Sequence, residues 1–315
     1  MIKWLLASIL TLIELNCENL FDCTHDAGKL DAEWLPTGTY RWTPHRYYKK
    51  LNGIARVILS QTEDSELENK LPSLIILTEV ENDSVMRDLT KRSLLRNAGY
   101  DYIMTNSPDA RGIDVALMYD PFAYKLVEWH GIRVIPLKGM KATRDILYAK
   151  LSDQNNQTLF VLGVHAPSKL GGEKESMPFR KTVVDKLIYT SDSIRQQEGD
   201  NAKIIIMGDF NTGHNSQELQ PLLHENFINV TQNATGRHGA KASYKYHGKW
   251  ESIDHCFMSS SLAKDVMDSW IGDKTWTLIE DDTYGGLKPF RCYLGPKYLE
   301  GYSDHLPLVI TLTTK

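Results

Sequence analysis

What most constrains this chain is the way its short apolar runs end. Ile204-Ile205-Ile206-Met207 leads straight into Gly208-Asp209-Phe210-Asn211, and Gly301-Tyr302-Ser303-Asp304-His305-Leu306-Pro307 opens the apolar run at 308–312. Runs of this length read as β-strands buried in a sheet. The acids and the imidazole would then be delivered to one sheet edge, where an isolated desolvated carboxylate is costly unless a cation or a hydrogen-bond donor compensates it. A divalent metal is the compensator expected for such a set, and metal-assisted hydrolysis is the chemistry that needs it.

Further runs at 74–77, 115–119, 146–151, 159–164 and 204–207 also read as strands. Helical spacing of apolar residues predicts helices over 47–59, 177–194 and 84–98, the last stopped by Gly99. Strands alternate with helices, but 127–134 and the pair of runs within 146–164 follow one another directly and predict antiparallel stretches, so the sheets should be mixed. The segment 270–302 is rich in aromatic residues and Gly with little periodicity, and it runs into Ser303-Asp304-His305. It is expected to be a long loop walling the site, with its rings able to stack on bases or line a small-molecule pocket; a surface excursion packed by its own aromatics is the competing reading.

Composition narrows the function classes. A chain of 315 residues can bury one large core, and one domain over 1–315 is expected. A net charge of −4 argues against a protein that grips long nucleic acid through a basic surface, though local basic loops would still permit a nuclease. Cys17, Cys23, Cys256 and Cys292 form no CxxC pair and no zinc spacing, and read as free thiols. The start is ambiguous: Met1-Ile2-Lys3 and the apolar stretch up to Ile13 have the character of a secretory signal, yet Asn16 follows closely. At least 11–15 is therefore read as the first strand, and 1–10 as a strand extension or the remnant of an export segment. The compartment stays open between cytoplasmic and exported. The stretch is too short for a comfortable membrane-spanning helix.

Asp209 and Asn211 sit two apart, so in extended chain both side chains would face one site. A carboxylate beside an amide suits the positioning and deprotonation of a water; alone, the same four residues could be a turn. Asp304-His305 is a second acid and imidazole pair. The imidazole could donate to a phosphate oxygen, provided a carboxylate orients its other nitrogen, and Asp254, at the head of another apolar run, is the candidate. Glu79 continues the 74–77 strand and is the expected metal ligand, with Glu81 as alternative. Oxygen donors such as Glu79, Asn16 and Asp304 suit Mg²⁺, or Mn²⁺, rather than zinc. His165 follows the 159–164 strand, Arg144 precedes the 146–151 strand and Arg111 precedes the 115–119 strand; a guanidinium matches phosphate bidentately. An ordinary ion pair is the competing reading of both arginines. His214 lies near Asn211 in sequence without an assigned role.

In order, Asn16-Cys17-Glu18-Asn19-Leu20-Phe21-Asp22, Thr78-Glu79-Val80-Glu81-Asn82, Arg111-Gly112-Ile113-Asp114, Gly163-Val164-His165-Ala166-Pro167-Ser168, Met207-Gly208-Asp209-Phe210-Asn211, Ile253-Asp254-His255 and Ser303-Asp304-His305-Leu306-Pro307 resemble the endonuclease/exonuclease/phosphatase superfamily. That superfamily includes pancreatic-type deoxyribonuclease, abasic-site endonucleases, inositol-polyphosphate phosphatases and bacterial sphingomyelinases. The resemblance implies an α/β fold, a four-layer α-β-β-α sandwich with two mixed β-sheets, deoxyribonuclease I-like. It implies metal ligation by Asn16 and Glu79, orientation or deprotonation of the attacking water by Asp209, fixing of that water or of the phosphate by Asn211, phosphate binding by His305 oriented by Asp254, and support of the metal or of His305 by Asp304. His165 would stand near the leaving group and Arg144 near the substrate phosphate. One departure is that relatives commonly show Trp-Asn in the first motif, where this chain has Leu15-Asn16.

The expectation is a Mg²⁺-dependent phosphoesterase acting by in-line attack of water on a phosphodiester, nuclease-like, and monomeric by default. Its substrate would be a phosphate ester, with nucleic acid as one candidate. A phosphomonoesterase of the inositol- or sugar-phosphate type and a sphingomyelinase-like phosphodiesterase are the alternatives. A zinc hydrolase and an inactive scaffold used for binding complete the set.

Overall fold

The computed structural model describes residues 8–62 and 71–314. Two six-stranded sheets pack face to face. In the first the strand order is Val266–Ile271, Leu308–Thr314, Ser8–Leu20, Leu74–Val80, Asp114–Tyr119, Asp101–Met104. In the second it is Tyr124–Ile132, Ile146–Asp153, Thr158–His165, Ile204–Asp209, Asp254–Ser259, Phe227–Asn229.

Each sheet carries one parallel pair, at its middle: Ser8–Leu20 with Leu74–Val80, and Thr158–His165 with Ile204–Asp209. All other pairings within the two sheets are antiparallel. Parallel neighbours need a crossover, and the helices Pro44–Leu59 and Glu173–Glu198 lie in those two connections. They cover the outer faces of the sandwich and make it four layers deep.

Alternation along the strands explains why the sequence shows continuous apolar runs rather than every second residue apolar. Leu12, Leu74, Ile76, Ile205 and Met207 fill the core between the sheets. Their neighbours Ile13, Ile75 and Leu77 point the other way, against Leu51, Ile54 and Ile58 of Pro44–Leu59. Ile204 and Ile206 likewise meet Val183, Val184 and Leu187 of Glu173–Glu198. Strands buried on both faces have no polar face to show. Gly163 sits where a Cβ would come within 3.0 Å of Val115 across the sheets, so a glycine lets the two layers close here.

Several boundaries differ from the sequence reading. The first strand runs from Ser8 to Leu20, so residues 8–10 extend it; residues 1–7 of the ambiguous start lie outside the described residues. The expected helix over 84–98 is two pieces, Asp83–Lys91 and a 3-10 turn Leu94–Asn97. Ser93 divides them, because its hydroxyl accepts from Leu95 N at 3.0 Å and caps the second piece. Glu81 precedes Asn82, whose side chain caps Asp83–Lys91 by accepting from Val85 N at 3.0 Å.

The segment 270–302 is a larger correction. Instead of a loop it contains the end of an edge strand, a 3-10 turn Thr275–Thr277, and the hairpins Leu278–Glu280 with Leu287–Pro289 and Tyr293–Leu294 with Lys297–Tyr298. Most of its rings are packing groups. Trp276 meets Tyr302 at 4.9 Å and lies under Arg56 at 4.2 Å, while Tyr293 packs edge-on against Trp34 at 5.7 Å. Such rings are committed to packing against the helix Pro44–Leu59 and its approach. None of the four cysteines is in a disulfide, and among the described residues no helix is long and apolar enough to cross a membrane.

Candidate active site at the ends of the parallel strands

Both parallel pairs end at the same rim of the sandwich. Asn16 and Glu79 stand at the carboxyl end of one, and His165 and Asp209, which are register partners, stand at the end of the other. Ligand sites in α/β sheets lie outside the carboxyl ends of parallel strands, where backbone pairing stops and side chains converge. Asn16, Glu79, Arg111, His165, Asp209, Asn211, Asp304 and His305 line one cleft there, about 510 Å³ in volume.

The first strand pair ends in a bulge: pairing slips between Asn16 and Leu20 and between Thr78 and Val80. Glu18, Asn19 and Glu79 adopt left-handed backbone at φ 49°, 57° and 59°. Such conformations cost about 1 kcal/mol or more for residues other than Gly and persist where the surroundings over-determine them. Here Asn19 N donates to Glu79 Oε2 at 2.9 Å and Glu18 N to Asn16 Oδ1 at 2.8 Å. The bulge thus aims the Glu79 carboxylate into the cleft.

Asp209 is the hub. Asn16 Nδ2 donates to its Oδ2 at 3.1 Å, Asn211 Nδ2 to the same oxygen at 3.2 Å, and Asn211 N to Oδ1 at 2.7 Å. His165 Nε2 lies 3.6 Å from Asp209 Oδ2 and 3.8 Å from Glu79 Oε1. Asn211 reaches the site through a left-handed backbone, φ 54°, rather than as the next outward residue of a strand. Gly208, one residue before Asp209, lets the strands close here: a Cβ there would collide with the carbonyl oxygen of Val164 on the neighbouring strand.

Beside this hub, His305 Nδ1 donates to Asp254 Oδ2 at 2.8 Å. Asp254 is buried behind the cleft and also accepts from the Ser243 hydroxyl. Burial alone would lower the His305 pKa, but the Asp254 carboxylate overrides it and holds the value well above the usual range. Burial, and then Asp254, push Asp209 up to about 7. His165 goes the other way, held well below its ordinary value by burial and by the Arg144 and Arg111 guanidinium groups.

The two predicted arginines part company. Arg111 is half-exposed and faces the cleft, 3.8 Å from Asp109. Arg144 is buried and does not line the cleft: its Nη1 donates to Asp109 Oδ2 at 3.2 Å and its Nη2 to Ala166 O at 2.6 Å. Ala166 O also accepts from Asn211 Nδ2 at 3.1 Å, so Arg144 touches the site through that carbonyl. Asp304 lines the cleft and accepts from Arg291 Nη2 at 3.0 Å.

Some neighbours gave no signal in the sequence. Arg291 also lies 3.4 Å from Glu18 Oε1, and Glu18 receives Cys292 N at 2.6 Å and Tyr293 N at 3.1 Å. Glu14 sits under the cleft, fully buried with its carboxyl beside that of Asp254; burial, and then Asp254, push it well up. Tyr244 lays its ring over His305 at 4.8 Å. Glu14 looks like any strand residue in sequence, and a lone Tyr carries no spacing signal. Only the acid two positions before Asn16 could have drawn attention.

The site's donor set bears on a metal. Asp209, Asp254 and His305 offer atoms that all lie within 4.8 Å of one another, and Glu79 and Asn16 add oxygens at the same rim. Burial and a second acid beside Asp209 leave carboxylates that a hard divalent cation would compensate. The residues fit a divalent metal.

Comparison with known proteins agrees with this geometry. A family model described as Endonuclease/Exonuclease/phosphatase family matches residues 11–314. The chain belongs to that family. This family member is a metal-dependent hydrolase of phosphoester bonds, and its sandwich is the deoxyribonuclease I-like fold. No curated protein matches its sequence significantly. Among solved structures it resembles an endonuclease/exonuclease/phosphatase family protein from Bacteroides thetaiotaomicron, with 15% identity, 98% of this chain and 99% of that one covered, and a TM-score of 0.61. The human nocturnin catalytic domain with bound sulfate is similar at 16% identity over 98% of this chain and 94% of that one, TM-score 0.59. A Bacteroides thetaiotaomicron mannosyl-6-phosphatase matches at 16% identity over 96% and 98%, TM-score 0.59.

Proposed function

We propose that this family member is a Mg²⁺-dependent phosphodiesterase, nuclease-like in that it cuts a diester by in-line attack of water. The observation that carries the reading is the meeting of Asp209, held by two side-chain amides, with the Asp254–His305 pair in one cleft. Asn16, Glu79 and Asp304 would hold the metal, whose positive charge, when bound, offsets negative charge developing on the phosphoryl oxygens.

The protein's own residues divide the remaining work. Asp209 Oδ2 accepts a proton from the attacking water, and Asn211 fixes the position of that carboxylate. His305, kept protonated by Asp254, donates to a non-bridging phosphoryl oxygen. His165, a buried neutral imidazole, stands at the other side of Asp209 and donates toward the ester oxygen. Arg111 binds a phosphate oxygen from the cleft wall, and Arg144 positions Asn211 through Ala166 O.

Charge favours a diester. A phosphomonoester carries close to two negative charges near neutral pH, while the cleft offers few cations. Lys169 is drawn off by Glu251 at 2.9 Å, and His165 is neutral. The test is a panel with Mg²⁺: bis-aryl phosphate, plasmid DNA, an abasic-site duplex, aryl monophosphate, inositol phosphates and sphingomyelin. Diesters should turn over faster than the monoester, and Asp209→Ala or His305→Ala should lower kcat by about 10²–10⁴-fold with the fold retained. Faster monoester hydrolysis would transfer the chain to the phosphatases, and unchanged turnover in both variants would remove these residues from the chemistry.

A further inference from the structure

The cleft continues into a second concavity of about 530 Å³, which it meets at Tyr246 and Asp304. A series of rings marks the way out. Tyr244 lies over His305 at 4.8 Å; Tyr246 is nearly parallel to Tyr244, at 6.4 Å and 12°. His247 follows at 4.1 Å from Tyr246, tilted by 43°, and Tyr284 closes the series at 5.8 Å and 27° from His247. The outer rings are not packing groups: Tyr246 is 55% and Tyr284 54% exposed.

This arrangement is built rather than incidental. Tyr246 and Lys249 are paired across a two-residue turn in which His247 and Gly248 both take positive φ, 46° and 79°, so the turn holds a histidine where the backbone favours Asn or Gly. A Cβ on Gly248 would stand 2.8 Å from Tyr284 Cβ, so glycine is what lets the two loops approach. Lys245 ties them together, donating to Gly285 O at 2.9 Å and Leu287 O at 3.1 Å while paired with Asp281 at 2.9 Å. The concavity has no excess of positive charge: Lys245, Lys288, Arg291 and Lys297 line it together with Glu280, Asp281, Asp282 and Asp304, and Lys288 pairs with Asp281 at 3.3 Å and Arg291 with Asp304 at 3.0 Å. Its distinctive offer is ring face.

Resting on the diesterase reading above, we propose that Tyr246, His247 and Tyr284 form a stacking subsite for a planar heteroaromatic ring of the nucleobase type, carried by the substrate beside its scissile phosphate. Exposed ring faces in series are extended most readily by another planar face, and the balanced charges make one short ring-bearing ester a better occupant than a long polyanion.

The experiment compares three diesters with Mg²⁺: dithymidine phosphate, the same dinucleotide analogue lacking both bases, and a hexosyl methyl phosphate. The wild-type protein should favour the base-bearing diester over the baseless one. Tyr246→Leu and Tyr284→Leu should each lower that preference by about tenfold, through KM rather than kcat. Both rings are exposed, and circular dichroism checks that the variants are folded. A preference that is absent, or equal in the wild type and both variants, overturns the subsite while leaving the diesterase reading in place. Dependence on Tyr284 for the hexosyl ester alone overturns the planar assignment. Hydrolysis of none of the three, or of the panel above, overturns both.

Discussion

Asp254 shows how much one residue can do from behind a site. It takes no place on the cleft wall, yet it fixes the His305 ring and sets its charge. Because the folded pKa of His305 is raised, the ion pair contributes its full stability below the unfolded imidazole value, about 6.5, and loses it as the pH rises through the folded value. Asp254→Asn should therefore cost most thermal stability at low pH and least at high pH in the metal-free protein, seen as a Tm gap that narrows as pH rises. The same variant should lower kcat by about 10–100-fold, and NMR titration should find the His305 imidazole shifted down. A Tm gap independent of pH would mean that the pair is not ionised. Asp281 is the opposite case: burial would raise it, but Lys245, the Tyr284 amide and Lys288 hold it down at about 2. Its contribution is present above the unfolded value, about 3.9, and fades as pH falls through 2. The Tm difference between wild type and Asp281→Asn should shrink across that window.

At the scale of elements, the site depends on how strands end. Gly208 lies in the last strand positions before Asp209, against Val164, where a Cβ meets a backbone oxygen that cannot swing aside. Gly208→Ala should cost about 2–4 kcal/mol, as measured by urea unfolding, and lower activity with it; a cost under about 0.5 kcal/mol would mean that the strands part easily. The strand runs at 74–77, 115–119, 146–151, 159–164, 204–207 and 308–312 all lie within observed strands, because two-sided burial writes itself as an unbroken apolar run. Apolar spacing over 84–98 extends past the helix end because it continues through Ser93, where a serine cap interrupts the backbone. The segment 270–302 misled for a related reason. Its rings are aperiodic because they serve hairpins and helix packing, and aromatic content alone does not say which faces are covered.

For the whole molecule, the cleft is a junction of two sheets, each bringing the carboxyl ends of its one parallel pair. The acids crowded there repel one another until a cation joins them, so binding and folding should be linked. Saturating Mg²⁺, at about a hundred times its Kd, should raise stability by about 2.7 kcal/mol, read as a Tm increase that EDTA reverses. Glu79→Gln should diminish the increase; an equal increase in that variant would place the metal elsewhere.

By itself the sequence determined which chemical groups were available and that they ended strands, since apolar runs, acids and imidazoles are local features of the chain. It brought out Asp209, Asn211, His305, Glu79, His165, Asn16, Asp304 and Arg111, all of which line the cleft, and it paired Asp254 with His305. Only the tertiary structure decided that Arg144 faces inward onto Ala166 O, that Glu14 and the Glu18–Arg291 pair lie beneath and beside the site, and that the exposed rings are Tyr246 and Tyr284 rather than Trp276 or Tyr293. These are questions of which side of a strand, bulge or hairpin a group occupies once distant segments pack. One residue of register reverses the answer, and no local pattern records it.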